Sequence, residues 1–260
     1  MARVTLEDMS KAPTARFSDR VENYVRFRPG YPAEVIGALR TECGLRPEHV
    51  AADVAAGTGF FTRLLLENGN KVFAVEPNAE MREAGKQVLG EYEKVVFVAG
   101  TAEETTLDSA SVDFVTAAQA AHWFDLKRAR AEFVRILRPN GWCVLIWNER
   151  MTDSTAFLRE YEQLLLDYAT DYKEVRHERT TAVIDEFFRP HKCRERVFDF
   201  VQRFGYEGAA GRLLSSSYAP LEGHPDHAPM MLELERIFAA HARDGVVEFA
   251  YKTRVYFGHL

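Results

Sequence analysis

Cysteine is scarce in this sequence, and the three present, Cys43, Cys143 and Cys193, lie far apart. Such spacing makes neither a disulfide framework nor a zinc pattern, and it suits a reducing cytoplasm. Long apolar runs are missing as well: none approaches the ~18 residues that a membrane-spanning helix needs. The opening residues, Met1 to Arg16, are polar and have no apolar signal core, so an unsecreted protein is expected, with a flexible arm over 1–16. An excess of basic charge is also absent. Lys and Arg number 33 against 39 Asp and Glu, a formal net charge of -6, which gives no electrostatic reason to expect nucleic acid as a partner. No internal repeat or low-complexity segment appears. What remains is an ordinary globular composition, 47% apolar over 260 residues, enough for one large domain or a core with a lid.

The chain is organised around residues 50–64, VAADVAAGTGFFTRL. A short apolar run, the mark of a buried strand, turns through Gly57 and Gly59 and continues with the apolar spacing of a helix. Strand, glycine turn and helix form a nucleotide-binding crossover unit, in which a bare Cα lets a ligand touch the backbone. Asp53 stands just before the turn, where its charge opposes a pyrophosphate and favours a ligand with a cationic end. Glu76 ends the next apolar run, 71–75, and an acidic side chain there accepts both ribose hydroxyls. An adenosyl ribose without phosphates, joined to a cationic amino acid end, describes S-adenosylmethionine.

Strands are expected over 49–54, 71–76, 94–98, 111–116 and 142–147, with helices over 60–68, from Pro77 onward, and over 126–137. This unbroken alternation predicts an α/β fold, a doubly wound and mostly parallel Rossmann-like sheet with helices on both faces. Further on, 154–170 reads as an amphipathic helix, 196–204 as a strand with Phe198, Phe200, Gln202 and Phe204 on its more apolar face, and 230–241 as a helix. Residues 246–257 alternate as a last, antiparallel strand, the seventh. Residues 17–260 are thus expected to form a single domain: a flap over 17–48, a cofactor-binding core over 49–148, and lid insertions with the last two strands over 149–260.

Several side chains carry a functional and a plain reading side by side. Tyr24, Arg28 and Tyr31 precede the core strand around the turn at 29–32. They suit a flap over the ligand, with Arg28 on a carboxylate, or ordinary packing and a surface ion pair. Met81 either lies on an adenine face or fills core. Glu103 and the Ala102 N–H, after Gly100 and Thr101, supply the acceptor and donor that adenine needs, or form a solvated acidic turn. His122 and Trp123, past the fourth strand, suit a substrate site, with His122 a candidate base or substrate ligand, or they are packed side chains. Arg150, past the fifth, suits an anionic group or a surface pair. Ser215, Ser216 and Ser217 line a site or cap the next element, and His224 and His227 lie in a loop with no ligand set for a metal.

Taken together, the stretches DVAAGTG (53–59), VEPN (75–78), GTAE (100–103) and AHWFD (121–125) resemble the successive motifs of class I S-adenosylmethionine-dependent methyltransferases. The segment Tyr24 to Pro32 and the tail from 211 onward resemble the small-molecule branch that includes trans-aconitate methyltransferase-like proteins. The resemblance implies that Glu76 holds the ribose, that Gly57 and Gly59 border the methionine part, that Ala102 and Glu103 meet adenine and that Gln119 lies near the amino acid end. Asp53, Ala55, Pro77, Met81 and Thr101 complete the expected cofactor set. One departure stands out: glycine is usual where this chain has Ala55, whose methyl narrows the space beside the methionine part.

The expected activity is therefore methyl transfer from S-adenosylmethionine to a small molecule, with Arg28 and Arg150 suiting a carboxylate substrate. A carboxylate nucleophile needs no base; a hydroxyl or carbon acid does, and His122 is placed for that. Two rivals remain at this stage. An NAD-dependent oxidoreductase is opposed by Asp53 and by Thr62 where a third glycine belongs. A non-catalytic adenosylmethionine-binding module is opposed by nothing in the sequence.

Overall fold

The computed structural model describes residues 21–170, 172, 184 and 186–260, with the side chains of 21, 22 and 24 excepted. The expected arm over 1–16 and the Tyr24 side chain lie outside the described residues. Two helices, α1 (Val21–Phe27) and α2 (Glu34–Cys43), precede the sheet. Then follow β1 (Val50–Val54), α3 (Phe60–Glu67), β2 (Lys71–Val75), α4 (Ala79–Leu89), β3 (Val95–Val98), β4 (Val112–Ala118), α5 (Leu126–Ile136) and β5 (Leu137–Arg150). The remainder comprises α6 (Ala156–Tyr168), β6 (Arg194–Phe204), α7 (Tyr206–Leu214), α8 (His227–His241) and β7 (Val247–Gly258).

The seven strands form one sheet in the order β3-β2-β1-β4-β5-β7-β6. The first five pair in parallel, and β7 runs antiparallel to both β5 and β6. The doubly wound Rossmann-like sheet with an antiparallel last strand is therefore what the chain builds. Its strand order reverses between β1 and β4, which opens a crevice at the carboxyl ends of those strands.

Side-chain alternation divides the core. Cys143, Leu145 and Trp147 of β5 pack on one face with Phe133, Phe187 and Phe188, while Val144 and Ile146 pack on the other with Leu39, Phe61 and Leu65. A third cluster, outside this sandwich, joins Phe157, Tyr161 and Leu165 of α6 to Leu234 of α8 and to Phe249 and Tyr251 of β7. Local chemistry sets the helix starts. Asn78, Asp125 and Thr155 each accept a backbone N–H from three residues on, at 2.8, 3.1 and 3.1 Å, as N-caps of α4, α5 and α6.

Strand β5 departs most from expectation, running from 137 rather than 142 and on to Arg150. Its early start is a bulge: the register with β4 shifts between Val112 and Phe114, and Asn140 takes φ 63°. A Cβ on Gly141 would sit 2.7 Å from the Leu137 side chain and 3.0 Å from the Asp113 carbonyl, so only glycine fits this bend. Its late end follows from β7, which pairs with β5 through Arg150 and Tyr251. The edge strand β6 keeps the expected faces, with Phe198, Phe200, Gln202 and Phe204 half-buried and the alternate residues exposed. Among the described residues no helix is long and apolar enough to cross a membrane, and no group of three or more His, Cys, Asp or Glu is placed to hold a metal ion. The three cysteines are free thiols.

Candidate active site

The turn after β1 is held from two sides. The Ala56 N–H donates to the Val75 carbonyl at 3.0 Å, tying the turn to β2, and the Gly59 N–H donates to the Ala56 carbonyl at 2.9 Å. Residues 55, 57 and 59 all take left-handed φ values, 56°, 58° and 88°. Two are glycines and one is Ala55, whose Cβ costs about 1–2 kcal/mol in this region. Ala55→Gly is thus expected to stabilise the fold by a net amount of about 0.5–1 kcal/mol, because the added freedom of the unfolded chain offsets part of the relief. A rise of a few degrees in Tm by calorimetry checks this; a fall would mean that the methyl packs favourably here. Gly59 has a packing reason to be glycine: a Cβ there would lie 2.4 Å from Leu89 Cδ1.

Asp53 lies beneath the turn rather than on its surface. It is 1% exposed, and its two carboxylate oxygens accept the hydroxyls of Thr62 at 2.6 Å and Thr116 at 2.7 Å. Burial pushes its carboxyl up to about 6; the two threonine hydroxyls oppose that shift, and the nearby Glu76 charge adds to it. Glu76 closes the other side. Its Oε2 accepts the Gly57 N–H and its Oε1 the Asn78 N–H, each at 2.9 Å. Burial raises its carboxyl above the usual range, against the pull of those N–H groups and of Arg82. Each of its oxygens still has a lone pair for a hydroxyl donor, which is what a ribose diol requires.

The other expected cofactor residues follow the carboxyl ends of β2, β3 and β4. Pro77 is half-buried, and its carbonyl accepts Arg82 Nη1 at 2.8 Å. Met81 is buried in the first turn of α4 at 4% exposure. Thr101 is exposed, Ala102 buried and Glu103 half-buried, with Glu103 Oε1 accepting the Asp125 N–H at 2.9 Å. This loop is pinned from α5 by Glu132, whose Oε1 accepts both the N–H and the hydroxyl of Thr105. Arg135 beside it, more than any other influence, holds the Glu132 carboxyl down to about 2. Gln119 sits past β4 at φ 57° and donates Nε2 to the Asn148 carbonyl at 2.8 Å. Its amide oxygen is left to accept a cation.

The residues expected on the substrate side are held by several different elements. His122 is exposed in a 3-10 turn (Ala121–Trp123), its ring 4.8 Å from that of the exposed Trp123. Tyr31 meets Phe61 of α3 edge-on at 5.5 Å, fastening the segment after α1 to the core. Arg28 donates Nε and Nη2 to the Ser215 carbonyl at 3.2 and 2.9 Å. Arg150, expected to meet a substrate anion, turns inward instead. It is ion-paired with Glu162, donates to Tyr172 Oη at 3.1 Å and lies 5.0 Å over the Tyr161 ring. Both side chains of the pair are largely buried, and through it Arg150 ties β5 to α6.

One residue to which the sequence assigns no role is Asn148. It is 3% exposed; Nδ2 donates to the Gly30 carbonyl at 2.8 Å, and Oδ1 accepts the Thr253 hydroxyl at 2.6 Å. With Gln119 on its carbonyl, it joins the flap, β4, β5 and β7 at one point. Its only sequence signal was its place at the carboxyl end of a strand.

The family model of methyltransferase domains matches residues 52–145, which hold the glycine turn, Glu76, Glu103 and Gln119. Uncharacterized methyltransferases of Mycobacterium tuberculosis and Mycobacterium bovis are 40% identical to the chain over 149 residues, 57% of it and 58% of their own length. An uncharacterized methyltransferase of Schizosaccharomyces pombe is 31% identical over 150 residues, again 57% of this chain and 58% of its own. The chain thus spans less than two thirds of the length of these relatives. Among solved structures, a protein provisionally assigned as a type II methyltransferase, from Anaeromyxobacter dehalogenans, superposes with TM-score 0.66 at 23% identity, covering 90% of this chain and 98% of that one. The central segment is thus similar in sequence to methyltransferase domains, and the fold around it is shared with the Anaeromyxobacter dehalogenans protein.

Proposed function

We propose that this domain transfers a methyl group from S-adenosylmethionine to a small, carboxylate-bearing molecule by in-line displacement. The observation that carries the reading is the Glu76 carboxylate, fixed to the Gly57 and Asn78 N–H groups at the crevice with lone pairs to spare. Asp53 and Glu76 together make the cradle anionic. That suits an amino acid ammonium and a sulfonium, and it opposes the pyrophosphate of a dinucleotide. S-adenosylmethionine, when bound, supplies a methyl already activated by its sulfonium.

The chain's own residues then have three tasks. Glu76 holds the ribose, and Gln119 Oε1 accepts from the ammonium. Ala102 and Glu103 meet the adenine, with Met81, Pro77 and Thr101 bordering it. The segment around Tyr24, Arg28 and Tyr31 covers the acceptor and excludes water, and orientation of this kind is worth about 7–11 kcal/mol of barrier. The likeness of Tyr24 to Pro32 to the trans-aconitate methyltransferase-like branch supports a small acceptor, and the net charge of -6 favours neither nucleic acid nor membrane as partner. A cytoplasmic site of action suits the three free thiols.

Calorimetric titration with S-adenosylhomocysteine, with NAD in parallel, tests the reading. Micromolar binding of the first, about -8 kcal/mol, and none of the second is expected; the reverse would replace it with the oxidoreductase. A domain that binds S-adenosylhomocysteine but methylates no acceptor in a metabolite screen would be a regulatory module instead. In that screen, His122→Ala is expected to abolish turnover of hydroxyl acceptors and spare carboxylate acceptors; unchanged turnover of both would end the role of His122 as base.

A further inference from the structure

Arg212, on α7, is 5% exposed and has no acidic partner within ion-pair distance among the described residues. Its Nε donates to Tyr251 Oη at 3.1 Å and its Nη1 to Ser216 Oγ at 3.0 Å, and both partners are neutral hydroxyls. A guanidinium cannot shed its charge, and with bonds to neutral hydroxyls alone that charge has no counter-ion among the described residues. Burial of that kind is costly unless a counter-ion arrives. The neighbouring Arg150 has its counter-ion in Glu162, which makes Arg212 the exception.

The surroundings are hydrogen-bonded and positively charged. Tyr251 passes its own hydroxyl on to Gln202 Oε1 at 3.1 Å, and Gln202 Nε2 reaches the carbonyls of Phe27 and Arg28 at 3.4 and 3.3 Å. The network therefore runs from α7 through β7 and β6 to the flap. Tyr218, its ring 4.9 Å from that of Tyr172, lies within the field of Arg212, Arg150 and Arg28. Burial opposes its ionisation, yet the three guanidinium groups and a Ser216 hydrogen bond outweigh burial, and the phenol falls below its ordinary value. The local potential is thus strongly positive. Asp53 pairs with Thr116 and Thr116 with Val144, so Arg150 stands six residues farther along β5. At ~3.3 Å per residue this is about 20 Å beyond the level of Asp53, on the same side of the sheet as the cofactor cradle.

We propose that Arg212, with the hydroxyls of Ser216 and Tyr218 beside it, binds a carboxylate of the acceptor. A planar oxyanion matches a guanidinium fork in two parallel bonds, which a lysine does not reproduce. The inference deepens the proposed function, on which it rests for the word acceptor; the anion site itself stands or falls without the cofactor.

The test titrates succinate, with succinamide as the neutral control, into the whole protein with and without S-adenosylhomocysteine. The wild type is expected to bind succinate and not succinamide. Arg212→Gln should weaken succinate at least about tenfold, as the loss of a charge-assisted pair does, while S-adenosylhomocysteine affinity stays within about twofold. Arg212→Lys, which keeps the charge should the glutamine variant not fold, is expected to bind succinate severalfold more weakly than wild type. Succinate bound as tightly by either variant as by wild type would overturn the site, as would failure of the wild type to bind succinate, acetate and citrate alike. So would an ultraviolet tyrosinate signal at neutral pH that disappears in Tyr218→Phe, since Tyr218 would then be the counter-ion. If S-adenosylhomocysteine fails to bind while succinate binds, the methyl-transfer reading falls and the anion site remains.

Discussion

Replacing Asp53 by asparagine is expected to make the protein more stable and a weaker cofactor binder. The carboxyl titrates at about 6 in the folded chain against 3.8 for a free side chain, because burial disfavours its charge. A folded value raised above the unfolded one means that the stability this group lends is complete below pH 3.8 and lost as pH rises through about 6. At pH 7 the ionised form is thus held at a cost of roughly 3 kcal/mol, at 1.36 kcal/mol per pKa unit. An asparagine fits the same pocket. Its oxygen accepts one threonine hydroxyl, and the other hydroxyl rotates to accept from its amide. The Tm of Asp53→Asn should exceed that of wild type by about 5 °C or more at pH 7, and the advantage should shrink as pH falls from about 6 toward 4.

Cofactor affinity should move the other way. A carboxylate beneath the turn attracts the sulfonium and ammonium of S-adenosylmethionine with about 1–3 kcal/mol at a distance of several ångströms and an effective dielectric near 20. The variant should therefore bind S-adenosylmethionine about five- to hundredfold more weakly and lose less for S-adenosylhomocysteine, which has no sulfonium. For the wild type, the same linkage makes S-adenosylmethionine affinity rise as pH increases through about 6. A variant that is more stable and binds S-adenosylmethionine with unchanged affinity would leave Asp53 a purely internal group.

Much of this arrangement was readable in the chain, and the reasons divide by sequence distance. β1, α3 and β2 fall within a residue of their expected bounds because apolar runs and glycine turns mark them locally. Glu76 could be named because an acid at a strand end is itself a signal. That it closes on the Gly57 N–H could not be, since this needs the register that pairs Val54 with Val75. Asn148 collects Gly30, Gln119 and Thr253, which lie 118, 29 and 105 positions away, and nothing beside it in sequence announces them. Arg150 looked like a free cation at a strand end. Its partners came from α6 and residue 172, whose placement depends on how the last strands fold back. Arg212 sits in a short helix whose sequence, YEGAAGRLL, shows no reason to bury a charge. What takes it inward is β7 on one side and α1 on the other: a Cβ on the neighbouring Gly211 would lie 2.2 Å from the Phe27 ring. The glycine turn and the acid at the end of β2 were thus legible from local motifs, and the network around Arg212, assembled from distant segments, was not.

Glu76→Gln should lower affinity for S-adenosylhomocysteine by about 100-fold with little change in fold. Both oxygens of Glu76 accept backbone N–H groups, from Gly57 and Asn78. A glutamine offers one oxygen, and its amide nitrogen must face the other N–H, donor against donor. One backbone group is then left unsatisfied and the turn shifts to relieve it, at a cost of about 1–3 kcal/mol for the unpaired donor and about as much for the charge-assisted bonds to the ribose. Stability suffers less, because the charge removed was itself penalised by burial. Glu76→Asp keeps the charge but is a methylene shorter, and it should bind S-adenosylhomocysteine no better than the glutamine variant, since reach rather than charge sets the contact. Calorimetry on the three proteins, with circular dichroism to show the fold intact, separates these effects. If Glu76→Gln binds as tightly as wild type, the ribose lies elsewhere, and the anionic cradle between β1 and β2 is not where the cofactor is held.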